Sequence, residues 1–114
     1  MDNEIIKIIE NKIVALASVT SNNEPHTIAV EVNKFENNKI IITNNQMTNT
    51  PHNIKKNPNV SLVFWEENEG WRINGKAEYF EEGEWLDFVK SLKENKGHSP
   101  KGAIVINVGE IKEL

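Results

Sequence analysis

Apolar residues along this chain recur at two different periods. In residues 3–11, Ile5, Ile6 and Ile9 return at helical spacing behind Asp2 or Asn3, either of which can cap, so a short amphipathic helix is predicted. From Ile13 the pattern changes. "IVALASVT" (13–20) reads as a strand of apolar and small residues, and "SNNEP" (21–25) reads as a turn closed by Pro25. "HTIAVEVNKF" (26–35) alternates Ile28, Val30 and Val32, the period of a half-buried strand. "ENN" (36–38) then turns the chain into "KIIIT" (39–43). Three strands joined by short turns predict an antiparallel meander.

The next segment breaks the strand rhythm. "NNQMTNTPHN" (44–53) is rich in amides and hydroxyls, and Thr50 before Pro51 reads as an N-cap and first residue of a short helix, "PHNIKKN", ending before Pro58. "NVSLVFWEE" (59–67) and "GWRINGKAEYFEE" (70–82) predict a strand pair around an acidic turn at Asn68. Gly75 inside the second strand predicts a bulge or a close backbone approach. "GEWLDFVKSLKEN" (83–95) places Trp85, Phe88, Val89 and Leu92 on one helical face, and "AIVINVGEIKEL" (103–114) closes the chain as a strand after the loop 96–102. The expected fold class is mainly β: a six-stranded antiparallel split barrel, Greek-key-like, with short helical plugs, forming a single domain over 1–114. A helix inserted between the third and fourth strands is unusual for a meander and marks that corner.

Composition narrows the chemistry. A length of 114 residues with 38% hydrophobic and 26% charged residues suits one folded domain rather than a disordered chain. The net charge of -4 gives no general attraction to nucleic acid or to an anionic membrane. With no cysteine there is no disulfide, thiolate metal site or cysteine nucleophile, which is compatible with a reducing cytoplasm. The opening "MDNEIIKIIENK" carries acids among its apolar residues and does not read as a signal peptide, and no apolar run approaches the roughly 20 residues that span a bilayer. A cytoplasmic localisation is expected.

Most candidate constellations carry a plain reading. His26, His52 and His98 are the only histidines, and none has a metal-ligand spacing with another histidine or a carboxylate. The acids of "EENE" and "EYFEEGE" flank turns, where charges are solvated. Trp65 and Trp71 can pack across the strand pair or stack on a planar ligand, and Trp85 reads as core on its helix. Arg72 and Lys76 read as surface ion-pair partners of the many glutamates, with a phosphate or partner contact as the alternative. The stretch 44–53 stays open between a solvated connection and an anion cradle. In the second reading it presents free N–H groups at a helix start, hydroxyls from Thr48 and Thr50, and charge from Lys55 or Lys56.

The succession of segments resembles the pyridoxamine 5'-phosphate oxidase-like FMN-binding split barrels, the small FMN-binding proteins in particular. The resemblance runs from about Ile5 to Leu114. It rests on "LASVTSNNEPHTIAVEV", "NKIIITNNQMTNTPHNIKKNPNVSLVFW", "GWRINGKAEYFEEG" and "KGAIVINV". It implies a homodimer with FMN at the subunit interface, a small-molecule substrate of unknown identity, and no nucleic-acid or membrane partner. By position it implies that Thr43 and Asn44 lead into a phosphate site at Asn45, Gln46, Met47, Asn49 and Thr50, with Ala29, Val30 and Glu31 along the isoalloxazine edge. The implied activity is a flavin-dependent oxidoreductase with no assignable catalytic residue. The alternatives are a non-enzymatic FMN electron carrier or a dimeric barrel that has lost flavin. A haem or deazaflavin binder on the same barrel is a further alternative, with His52 or His98 as the only basis for haem ligation.

Overall fold

The computed structural model describes residues 8–114; the predicted helix over 3–11 lies mostly outside them. Seven strands form one antiparallel sheet: β1 (Ile13–Val19), β2 (Pro25–Glu31), β3 (Lys34–Glu36), β4 (Lys39–Asn44), β5 (Asn59–Glu66), β6 (Glu69–Phe80) and β7 (Gly102–Glu113). Helix α1 (Asn49–Lys56) lies between β4 and β5, and α2 (Glu84–Ser91) followed by a 3₁₀ turn (Lys93–Asn95) lies between β6 and β7. The spatial order is β2-β1-β5-β6-β7-β4-β3, so the sheet curls into a split barrel of seven strands rather than six.

The extra strand arises where the sequence suggested one long segment. Residues 26–35 divide at Val32 and Asn33. Val32 exchanges main-chain hydrogen bonds with Lys12 and Asn11 on one side, while Asn33 donates its N–H to the Ile41 carbonyl on the other. β2 therefore pairs with β1, and β3 pairs with β4 at the opposite edge of the sheet. The expected meander is replaced by two hairpins that the rest of the sheet separates.

The run Ile40-Ile41-Ile42 is buried on both faces of β4, which explains an apolar stretch without alternation. Ile40 and Ile42 join Val14, Leu16, Leu62, Ile73 and Ile106 inside the barrel. Ile41 faces the other way, with Ala103 and Val105 of β7, and α2 covers it with Leu86 and Val89. Trp85 and Phe88 of α2 are half-buried at the rim of this second cluster, in edge-to-face contact at 6.2 Å. α1 plugs the barrel end: Ile54 enters the main core and the Asn53 carboxamide donates to Ser18 Oγ at 3.1 Å.

The irregularity predicted at Gly75 is present. Asn74 pairs with Glu110 and Gly75 with Val108, leaving Gly109 as the extra residue of a bulge in β7. A Cβ on Gly75 would overlap the Asn107 carbonyl oxygen and lie 2.9 Å from Ile106 Cγ2. Here the backbone of β7 occupies the space of a side chain.

Candidate functional site

The corner where β4 leaves the sheet is built around Asn44, which is 2% exposed. Its side-chain oxygen accepts the Met47 N–H at 2.6 Å. Its amide nitrogen donates to the Met47 carbonyl at 3.2 Å and to the Tyr79 hydroxyl at 2.8 Å. Its own carbonyl accepts the Lys101 N–H at 2.8 Å. Met47 in turn packs its side chain against the main core. The loop 45–48 is thus clamped at both ends.

A second polar cluster lies beneath the corner. The Thr43 N–H and hydroxyl both donate to Asn33 Oδ1, at 2.9 and 2.7 Å, and the hydroxyl accepts from the Asn95 amide at 2.9 Å. Asn95 also donates to the Val89 carbonyl at 2.7 Å, and Asn33 donates to Glu94 Oε2 at 3.2 Å. Each buried amide here has a partner, which is the condition for such a network to rigidify a core.

Clamping the loop leaves its amides open. Among the described residues, Met47 is the only loop residue of 45–48 whose N–H donates within the chain. The first N–H groups of α1, from Asn49 and Thr50, have no intrahelical acceptor. Thr48 occupies the N-cap position but makes no capping bond with its hydroxyl. Asn45 is half-buried, and its side-chain oxygen is closed from solvent without a partner.

Several sequence expectations change at this point. Thr50 is not the cap: the helix begins at Asn49, so Thr50 lies within its first turn, 1% exposed. Pro51 consequently stands at the third helical position, where a missing N–H is also harmless. Lys55 and Lys56 lie in the last turn of α1, at the end away from the loop. Lys55 is further held by Glu81 at 2.6 Å and lies 5.4 Å from the centre of the Tyr79 ring. Its pKa is raised, first by the hydrogen bond to Glu81, with desolvation acting in the opposite direction.

Thr43, Asn44, Asn45, Gln46, Met47, Asn49 and Thr50 form one continuous corner. Thr43 and Asn44 direct their side chains into the supporting networks, whereas Gln46 and Asn49 are exposed. Ala29, Val30 and Glu31 lie on the edge strand β2. Ala29 and Glu31 are exposed, while Val30 turns its side chain into the core and leaves only main chain for an outside contact. Trp71 stacks on Phe64 inside the barrel at 4.9 Å, and Trp65, opposite Gly70, is exposed. Sequence reasoning missed Tyr79, Asn33, Asn95 and Lys101 as parts of the corner. They come from 10 to 57 positions away along the chain, and the pairing of the strands together with the 3₁₀ turn after α2 brings them there.

The fold and this corner define a small split-barrel protein with an amide-rich loop and helix start at its rim. The family model described as pyridoxamine 5'-phosphate oxidase matches residues 1–114, and the chain belongs to that family. An uncharacterized protein of Methanocaldococcus jannaschii is 34% identical, the match covering 97% of this chain and 78% of that protein. HupZ of Group A Streptococcus superimposes with a TM-score of 0.87 at 24% identity, covering 100% of this chain and 94% of that one. An FMN-binding protein of Syntrophomonas wolfei superimposes with a TM-score of 0.77 at 18% identity, covering 100% of this chain and 88% of that one.

Proposed function

We propose that this protein is an FMN-binding flavoprotein, a cytoplasmic homodimer that acts as an oxidoreductase on a small substrate. The observation that carries the reading is the clamped corner at residues 44–50. It combines open main-chain N–H groups with a helix start, the arrangement that suits a phosphate. The residues fit the group. The N–H groups of Asn45, Gln46, Thr48 and Asn49 would hold the phosphate, joined by the uncommitted Thr48 hydroxyl. The exposed Glu31 carboxylate on β2 would accept an N–H from the ring system. Family membership and the FMN-binding structural neighbour support the choice of cofactor.

The bound flavin would supply the electron chemistry. The chain's own part is to bind and orient. Residues 43–50 contain no titratable side chain, and Glu31 is placed only as a hydrogen-bond acceptor, so no general acid or base is assigned. That observation favours a second reading, a flavin-based electron carrier. Turnover of the reduced protein with a panel of acceptors separates the two. A second subunit is supported by the outward face of β1, β2 and β5, where Ala15, Ala17, Ala29 and Val63 present small apolar surface beside Ile13 (64% exposed) and Trp65 (62% exposed). Among the described residues, no helix is long and apolar enough to cross a membrane.

The test is an absorption spectrum after loading with FMN and removing the excess by gel filtration, with the molar mass measured in the same run. Retained flavin bands and the mass of two chains are expected. A colourless protein removes the flavin reading, and a monomeric flavoprotein removes the dimer.

A further inference from the structure

We infer that Lys101 supplies the positive charge that holds the cofactor phosphate at the corner; the inference rests on the FMN reading above. The segment 43–54, "TNNQMTNTPHNI", contains neither lysine nor arginine. A phosphate monoester brings about -1.5 to -2 charges near neutral pH, whereas a helix start offers the equivalent of roughly half a positive charge. A full cation would come from outside this segment.

The candidates separate on geometry. Lys56 is seven residues along α1 from Asn49, so its backbone lies about 10 Å down the axis from the helix start. Lys55 is near the same far end and is tied to Glu81. Lys39 begins β4, five residues and about 17 Å of strand before Asn44, and its ammonium bonds to Asn107. No hydrogen bond joins Lys93 or Lys96 to residues 44–50 among the described residues.

Lys101 differs from all of these. Its own N–H donates to the Asn44 carbonyl at 2.8 Å, and the next residue, Gly102, pairs with Asn44 in the sheet. Its backbone is therefore fixed beside the first residue of the corner. Its side chain is exposed and has no carboxylate partner among the described residues. A lysine ammonium on its four-carbon stem is a mobile point charge of the kind that serves phosphate without a fixed geometry. A corner that makes no provision for charge in its own sequence receives it from a residue 57 positions after Asn44, through the pairing of β4 with β7.

The experiment titrates the full chain with FMN and with riboflavin, which lacks the phosphate, following flavin fluorescence. Wild type is expected to bind FMN more tightly than riboflavin. Lys101→Gln should weaken FMN about tenfold or more while changing riboflavin less than about twofold, since charge-assisted contacts are of that size. Lys101→Arg should retain most of the preference, and Lys56→Gln should leave both affinities as they are. Unchanged FMN affinity in Lys101→Gln overturns the inference. So does an equal loss of FMN and riboflavin, which would make Lys101 a structural support. Failure of wild type to bind either flavin overturns the FMN reading itself, and this inference with it.

Discussion

The Tyr79 hydroxyl reaches Asn44 through space that residue 102 leaves vacant. Asn44 donates to that hydroxyl at 2.8 Å, and a Cβ on Gly102 would overlap the hydroxyl and the adjoining ring carbons. The missing side chain on β7 thus sets the position of a ring on β6, and the ring sets a carboxamide on β4.

Gly102→Ala should displace the Tyr79 ring and release one of the bonds that hold Asn44. Overpacking at a buried contact of this kind costs about 1–3 kcal/mol. Urea denaturation should show a lowered midpoint with an unchanged slope, and FMN affinity should fall with it. A variant as stable as wild type would show that the ring yields without consequence.

Tyr79→Phe separates the hydrogen bond from the packing. The ring stays, but the Asn44 amide loses an acceptor in a buried setting, at a cost of about 1 kcal/mol. The expected signature is a small drop in Tm together with faster hydrogen exchange at the Met47 amide, because that N–H depends on the orientation of Asn44. Unaltered exchange at Met47 would mean that Asn44 does not need the tyrosine.

Gly75→Ala tests the bulge. The overlapping atom is the main-chain carbonyl of Asn107, which cannot rotate away as a side-chain tip can. A loss of about 1–3 kcal/mol is expected from the forced shift of β7. Calorimetry of the purified variant checks it, and an unchanged Tm would show that the bulge at Gly109 absorbs the extra methyl group.

The Lys55–Glu81 pair gives a prediction in pH. A lysine whose folded pKa is raised contributes stability that is present below its unfolded pKa and is lost as pH rises through the folded value. The Tm of wild type should exceed that of Lys55→Gln slightly near neutral pH. The two should converge as pH passes the ordinary lysine range, and also in high salt, because the pair is exposed. A difference that persists at high pH would assign it to packing of the lysine stem on Tyr79 instead.

The strands were legible because each carries its period within a few residues: alternation in β1 and β5, and a doubly buried run in β4. The split of 25–36 into β2 and β3 was not. Val32 continues the apolar alternation of Ile28 and Val30, yet it is buried at a crossing between sheet edges, and nothing local distinguishes the two uses. The corner at 44–50 stood out because it is contiguous and strongly polar. Its helix start was misplaced by two residues because a proline is tolerated anywhere in the first turn. Tyr79 and Asn95 left no trace in the sequence. Their roles depend on which strand lies beside which, and that is decided by the burial of the whole sheet.

The crossing at Val32 and Asn33 has a consequence for solubility. An open sheet exposes two unpaired edges, each a template for pairing with another chain. In this barrel both edges belong to one stretch of sequence, residues 25–36, because β2 and β3 follow each other directly. That stretch begins with Pro25, which has no N–H to offer, and carries Glu31, Lys34 and Glu36 along its length. The protection against edge-to-edge aggregation is therefore concentrated in a single short segment.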